Sequence, residues 1–265
     1  MVIFVEPFCS AKRKTNLIFY QTDILEKLLG VESAIDEALH LEQSVFINRN
    51  LARDCQVLKV CDLPPKPKIS TREGQARLVH DLASIELQAM ELALRGLYEF
   101  PEAPPQFRTE LAALARDEAS HLKLCLATLQ TFGFQWGHWP VHTALWQSVS
   151  TEDTLLERIF IVHRYLEASG LDAGDSILTR LSGVAQKQCL ATISLIVSEE
   201  VGHVEFGSRW FRYVCELENK DPEVEFARLY RQMSERSPRR ERPSLKLRRL
   251  AGFSENELTL LKLAP

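Results

Sequence analysis

The sequence predicts an all-α protein centred on a four-helix bundle, and three observations predict it. Four stretches, at about 70–100, 106–132, 151–170 and 184–218, repeat their apolar residues at the period of a helix. Proline clusters at Pro64-Pro65-Lys66-Pro67 and between Pro101 and Pro105 fall where helices must stop. The pattern Glu-x-x-His occurs in corresponding places as Glu118-Ala119-Ser120-His121 and Glu200-Val201-Gly202-His203, and residues three apart share one face of a helix.

Residues 1–69 read as an extension ahead of the bundle. A helix is expected from about Thr22 to His40, with Ile24, Leu28, Ile35 and Leu39 among its apolar positions and an interruption at Gly30. The proline connector ends this region. Residues 70–220 then form the bundle. Ser70-Thr71-Arg72-Glu73 has the form of a capping box, with Ser70 as the cap of the first helix. Its apolar face carries Val79, Leu82, Met90 and Leu97, and Glu86 sits in the middle of it. A carboxylate there is costly to bury unless something neutralises it. The short proline turn favours an antiparallel second helix, whose stripe of Leu111, Leu114, Leu122 and Cys125 includes Glu118 and His121.

From Gly133 to about Ser150, Trp136, His138, Trp139, His142 and Trp146 mark an aromatic crossover packing over one end of the bundle. A third helix follows a Ser150/Thr151 cap, carries Ile159, Phe160, His163 and Glu167 inward, and ends or breaks at Gly170. A separate short helix is expected over 172–182. The fourth long helix, about Val184 to Glu218, surrounds Glu200 and His203 with Ile193, Ile196, Val204 and Trp210. Residues 221–265 form a basic extension, ending in a short helix near Ser254.

With 45% hydrophobic residues the chain can bury a sizeable core, and a net charge of −4 gives no general reason to bind nucleic acid or anionic membrane. Six cysteines without metal or disulfide spacing, and no apolar run of membrane-spanning length, lead us to expect reduced thiols and a cytoplasmic protein.

Glu86 precedes Glu118 by 32 residues, and Glu167 precedes Glu200 by 33. Each Glu-x-x-His therefore has a glutamate on the apolar face of the preceding helix. Glu86, Glu118, His121, Glu167, Glu200 and His203 together supply four carboxylates and two imidazoles, which two divalent cations would neutralise. A third match, Glu37 with His40, lies outside this repeat and reads as a surface pair.

One Glu from each of two helices and Glu-x-x-His from the other two is similar to the ligand set of ferritin-like di-iron and di-manganese proteins. The stretches Ile85-Glu86-Leu87-Gln88-Ala89-Met90-Glu91-Leu92, Glu167-Ala168-Ser169-Gly170-Leu171-Asp172 and Ala251-Gly252-Phe253-Ser254, with the tryptophan crossover, resemble an uncharacterised bacterial branch of that superfamily, catalogued as a domain of unknown function. The resemblance covers residues 70–260, with Ser84 standing where its relatives tend to have histidine.

The resemblance implies a ferritin-like bundle with two iron ions, manganese being an alternative, and an oxidase or hydroxylase using oxygen or peroxide on a small or tethered substrate. Asp117 and Glu199 resemble acidic residues that orient a ligand histidine, and His163 is a further candidate for that role. Ala83, Ala89 and Ala93 leave space beside Glu86. Three alternatives use the same residues: iron handling without an organic substrate, manganese catalase-like peroxide disproportionation, and hydroxylation of a tRNA base, with Arg239, Arg240 and Arg242 as RNA contacts.

Overall fold

Thr71, one residue later than the capping pattern suggests, opens the first bundle helix: its hydroxyl accepts from the Gly74 amide at 3.0 Å. In the computed structural model, which describes residues 18–47, 51–237 and 241–263, ten α-helices follow one another in the described chain. They are α1 (Ile24–Leu39), α2 (Arg72–Glu99), α3 (Pro105–Thr131), α4 (Ala144–Gln147), α5 (Leu155–Ile159), α6 (Ala168–Leu181), α7 (Lys187–Leu217), α8 (Pro222–Arg236), α9 (Leu245–Leu250) and α10 (Glu255–Leu263). A π-helical segment, Phe160–Glu167, joins α5 to α6 without a break. No described residue belongs to a strand, although Val57 and Val141 form an isolated bridge.

Several local expectations are corrected. The helix at the start is capped by Asp23 and runs straight through Gly30. The third bundle helix begins at Leu155, because Thr154 and Glu157 make the capping box and the Ser150/Thr151 site does not. Gly170 does not end that helix, and the expected separate piece over 172–182 is its continuation to Leu181. The fourth helix starts at Lys187, later than Val184.

The crossover runs along the flank of α2, not over an end of the bundle. Trp136 stacks on His80 at 5.0 Å, Gln88 donates to the His142 carbonyl at 2.9 Å, and Trp146 lies 4.5 Å from the Arg95 guanidinium. These contacts climb α2 from its N-terminal to its C-terminal half. The chain is thus delivered to the C-terminal end of α2, where Arg158 of α5 reaches Glu99 at 2.7 Å. The third helix consequently runs antiparallel to α2.

Helices α3 and α7 are antiparallel as well. Asp117 faces His203, His121 faces Glu199, and Thr128 bonds Thr192 at 2.7 Å, so the contacts advance along one helix as they retreat along the other. Gly207 sets how closely α7 meets the π-helical segment: a Cβ there would lie 2.3 Å from the Cβ of His163.

Charged residues fasten the outer pieces to the bundle. Lys27 of α1 is buried and reaches Glu91 of α2 at 2.7 Å, and Arg53 reaches the same carboxylate at 2.8 Å. Near the other end of the chain, Arg164 of the π-helical segment makes two bonds of 2.8 and 2.9 Å to Glu257 of α10, and Arg248 of α9 bonds Asp172 of α6. Part of the basic C-terminal stretch therefore points inward. Arg242 is exposed, and Arg239 and Arg240 lie outside the described residues.

Five cysteines, Cys55, Cys61, Cys125, Cys189 and Cys215, are free thiols. No helix among the described residues is long and apolar enough to cross a membrane.

Gly207→Ala is expected to destabilise the protein by about 1–3 kcal/mol through overpacking against His163. Gly202→Ala, whose Cβ would meet nothing within 4 Å, should stabilise by about 0.5–1 kcal/mol through helix propensity. Chemical denaturation of the two variants checks the contrast.

Candidate metal centre

The two Glu-x-x-His patterns meet across the antiparallel pair of α3 and α7. In each, the i,i+3 spacing sets a carboxylate and an imidazole on the same inward face. Glu86 arrives from α2, and one ligand atom each from Glu86, Glu118, His121 and Glu200 lie within 4.8 Å of one another. His121 Nδ1 stands 3.3 Å from Glu86, 3.6 Å from Glu118 and 3.6 Å from Glu200. His203 completes the cluster, with Nδ1 at 3.0 Å from Glu118 and 3.2 Å from Glu200.

Five of the six predicted ligands thus converge. The sixth, Glu167, ends the π-helical segment and lines the same cavity, but its carboxylate is engaged by His163 Nδ1 at 2.8 and 2.9 Å. Its charge is felt at Glu200. A π-helical turn displaces side chains from the register of an ordinary helix, and such turns are frequent at functional sites.

The outer nitrogen of each imidazole meets a carboxylate from the opposite helix. His121 Nε2 donates to Glu199 of α7 at 2.8 Å, and His203 Nε2 lies 3.6 Å from Asp117 of α3. A carboxylate only accepts, so the outer nitrogen carries the proton. In the neutral ring the inner Nδ1 then offers its lone pair to the cluster. Both Nδ1 atoms and both oxygens of Glu118 are buried without a hydrogen-bond partner among the described residues, despite separations as short as 3.0 Å. They are close without being aligned with one another. A cation at their centre would satisfy all four, so the residues present fit a metal.

Without a cation the carboxylates draw protons into the cluster. Burial, opposed by the nearby His121 imidazole and helped by the Glu118 charge, pushes Glu86 up to about 8. Burial also lifts Glu200 to about 6 against the pull of His203. Burial alone would lower His121, but Glu118 and Glu86 outweigh it and raise the imidazole to about 11. His203 rises for the same reason, through Asp117, Glu118 and Glu200. The nearby His203 imidazole keeps the exposed Asp117 carboxyl below the usual carboxylate range.

Beside the cluster, a cavity of about 400 Å³ opens between α2, α6 and α7, with Glu86, Glu118, Glu167 and Glu200 in its wall. Ala89 lines it as expected of a small residue near Glu86, whereas Ala83 and Ala93 are packed in the core. Space beside Glu86 was expected from the alanines, but the extent of the cavity and the π-helical turn leave no mark on periodicity.

The fold and site define an all-helical protein with a buried carboxylate–histidine cluster able to hold a metal ion. The chain belongs to the family described as a protein of unknown function, DUF455, whose model matches residues 20–259. It is similar to an uncharacterised protein of Haemophilus influenzae, with 27% identity covering 72% of this chain and 78% of that protein. No solved structure matches it.

Metal binding must displace the protons held by the histidines and Glu86, so uptake should release protons and strengthen as pH rises. In the metal-free protein the sign is opposite. Glu86 is raised above its ordinary 4.5, so its ionisation costs the fold stability between about pH 4.5 and 8. Glu86→Gln should therefore stabilise the metal-free protein by a margin that widens across that range, while weakening metal binding. Thermal unfolding across pH, with and without metal, checks both arms.

Proposed function

We propose that the protein is a ferritin-like metalloprotein that holds two iron ions and uses oxygen or peroxide to oxidise or hydroxylate an organic substrate. The observation carrying this reading is that the carboxylate–histidine cluster forms one wall of a cavity otherwise lined almost wholly by aliphatic side chains. Iron handling alone has no need of an organic-sized apolar chamber at the ligands.

Bound iron would supply the redox chemistry, which four carboxylates favour by stabilising its oxidised state while two imidazoles retain the reduced one. Glu118 and Glu200 each lie within 3.6 Å of both histidines and would hold the metal together with them. Glu86 and Glu167 sit on the cavity side, and Glu167 becomes available if His163 yields it. Glu199 and Asp117 hold the outer protons of His121 and His203, fixing ring orientation and keeping the inner nitrogens free to ligate. The aliphatic wall excludes water from the reacting groups and orients a substrate by shape. Hydroxylation with oxygen also draws reducing equivalents from an external donor. Manganese fits the same donors, and disproportionation of peroxide is the second reading for a metal-loaded protein that turns over no organic substrate.

Protein isolated from its own host without added metal should contain about two iron ions per chain, and ferrous protein should oxidise under air with a charge-transfer absorption. His121→Ala and His203→Ala should each lower the metal content by at least about half. No metal in the parent protein even after anaerobic ferrous reconstitution would refute the proposal.

A further inference from the structure

The cavity has two electrically different ends. One is the carboxylate cluster. From there its wall runs back along α2 from Glu86 to Leu78, forward along α6 from Glu167 to Ile177, and back along α7 from Glu200 to Ile193. At 1.5 Å of rise per residue, those spans make a cleft about 10–15 Å long. Away from the cluster, on the same wall, stand Lys66 and Asp81, 2.8 Å apart. Asp81 also binds Arg77 at 2.7 Å, and the two terminal nitrogens of that buried guanidinium have no hydrogen-bond partner among the described residues. Two cations share one carboxylate, so this part of the wall is net positive, whereas the other end holds the carboxylate cluster.

Between the ends the lining is aliphatic, including Leu82, Ile85, Ile177, Ile193 and Ile196. Among the described residues no aromatic ring lines the cavity. Ser169, the one hydroxyl among the described lining residues, already donates to the Tyr165 carbonyl. A ligand with polar groups along its middle would leave them unpaired at about 1–3 kcal/mol each, and a flat aromatic ligand would find no ring to stack on. An unbranched alkyl chain leaves nothing unpaired.

We propose that the cleft binds a medium-chain aliphatic carboxylate, with its head at Lys66 and its tail directed at the carboxylate–histidine cluster. As a substrate assignment this rests on the oxidative reading above, but binding itself does not require metal. The polarity follows from charge. A carboxylate head would be repelled by Glu167 and Glu200 and attracted by Lys66. The methyl end, which needs no partner, is left beside the metal ligands.

The test is titration of decanoate, decanol and butyrate, followed by calorimetry, into metal-free and metal-loaded protein. Decanoate should bind saturably with one site per chain, and butyrate, too short to fill the cleft, at least about tenfold more weakly. Lys66→Glu should weaken decanoate about five- to tenfold and leave decanol unchanged, the scale expected of an exposed ion pair. Gly170 lines the cleft, and a Cβ there would meet nothing within 4 Å, so Gly170→Leu can be introduced without a clash at Cβ and projects into the cleft. That variant should weaken decanoate and decanol alike at least about tenfold while keeping the parent's metal content.

Absence of saturable decanoate binding overturns this inference and leaves the metal reading standing. Equal weakening of decanoate and decanol by Lys66→Glu overturns the assignment of the head. Decanoate binding by a protein that never takes up metal supports the cleft and refutes the oxidative role.

Discussion

Four glutamates converge on one chamber inside an apolar bundle, and the rest of the molecule is arranged around the cost of keeping them there. Buried carboxylates repel one another and lose hydration, so a cluster of this kind is tolerated only when positive charge enters with it. Without metal the charge comes as protons on His121 and His203, and Glu86 and Glu200 are pushed upward because those protons do not suffice. The same oxygens could hold a metal ion. Charge compensation by protons and by a cation therefore compete for the same atoms.

Antiparallel pairing of α3 and α7 makes the cluster possible with so short a motif. Since contacts advance on one helix as they retreat on the other, a carboxylate one residue before each ligand glutamate falls opposite the histidine of the partner helix. Asp117 faces His203 and Glu199 accepts from His121. Each helix thus supplies two members of the cluster and also a carboxylate beside its partner's imidazole. A parallel pairing would not bring both positions into reach at once.

Much of this was legible in the sequence for a definite physical reason. Helical period and Glu-x-x-His spacing are local, and they located four long helices and five residues that the structure brings together. Glu167 was placed on the right wall but not in its engaged state, because the partner, His163, sits within a π-helical turn that leaves no mark on apolar periodicity. The caps at Ser70 and Ser150 were misplaced because several Ser and Thr residues compete there, and only backbone geometry decides that Thr71 and Thr154 prevail. The path of the crossover was missed since it depends on buried pairs such as His80 with Trp136 and Arg95 with Trp146. Space beside Glu86 was expected, and Ala89 does line the cleft, but its extent was missed because the side chains lining it are the same types that line a core.

Arg164 sits inside the π-helical segment, ringed by Phe211, Phe226 and Phe253, and its partner Glu257 lies 93 residues further along the chain. Until Glu257 has left the ribosome, a nascent chain would have to bury an uncompensated cation to settle the segment that carries Glu167. Assembly of that wall therefore waits on a residue far along the chain. The earlier helices can pair as they emerge, but the segment that carries Glu167 settles only once Glu257 has been made.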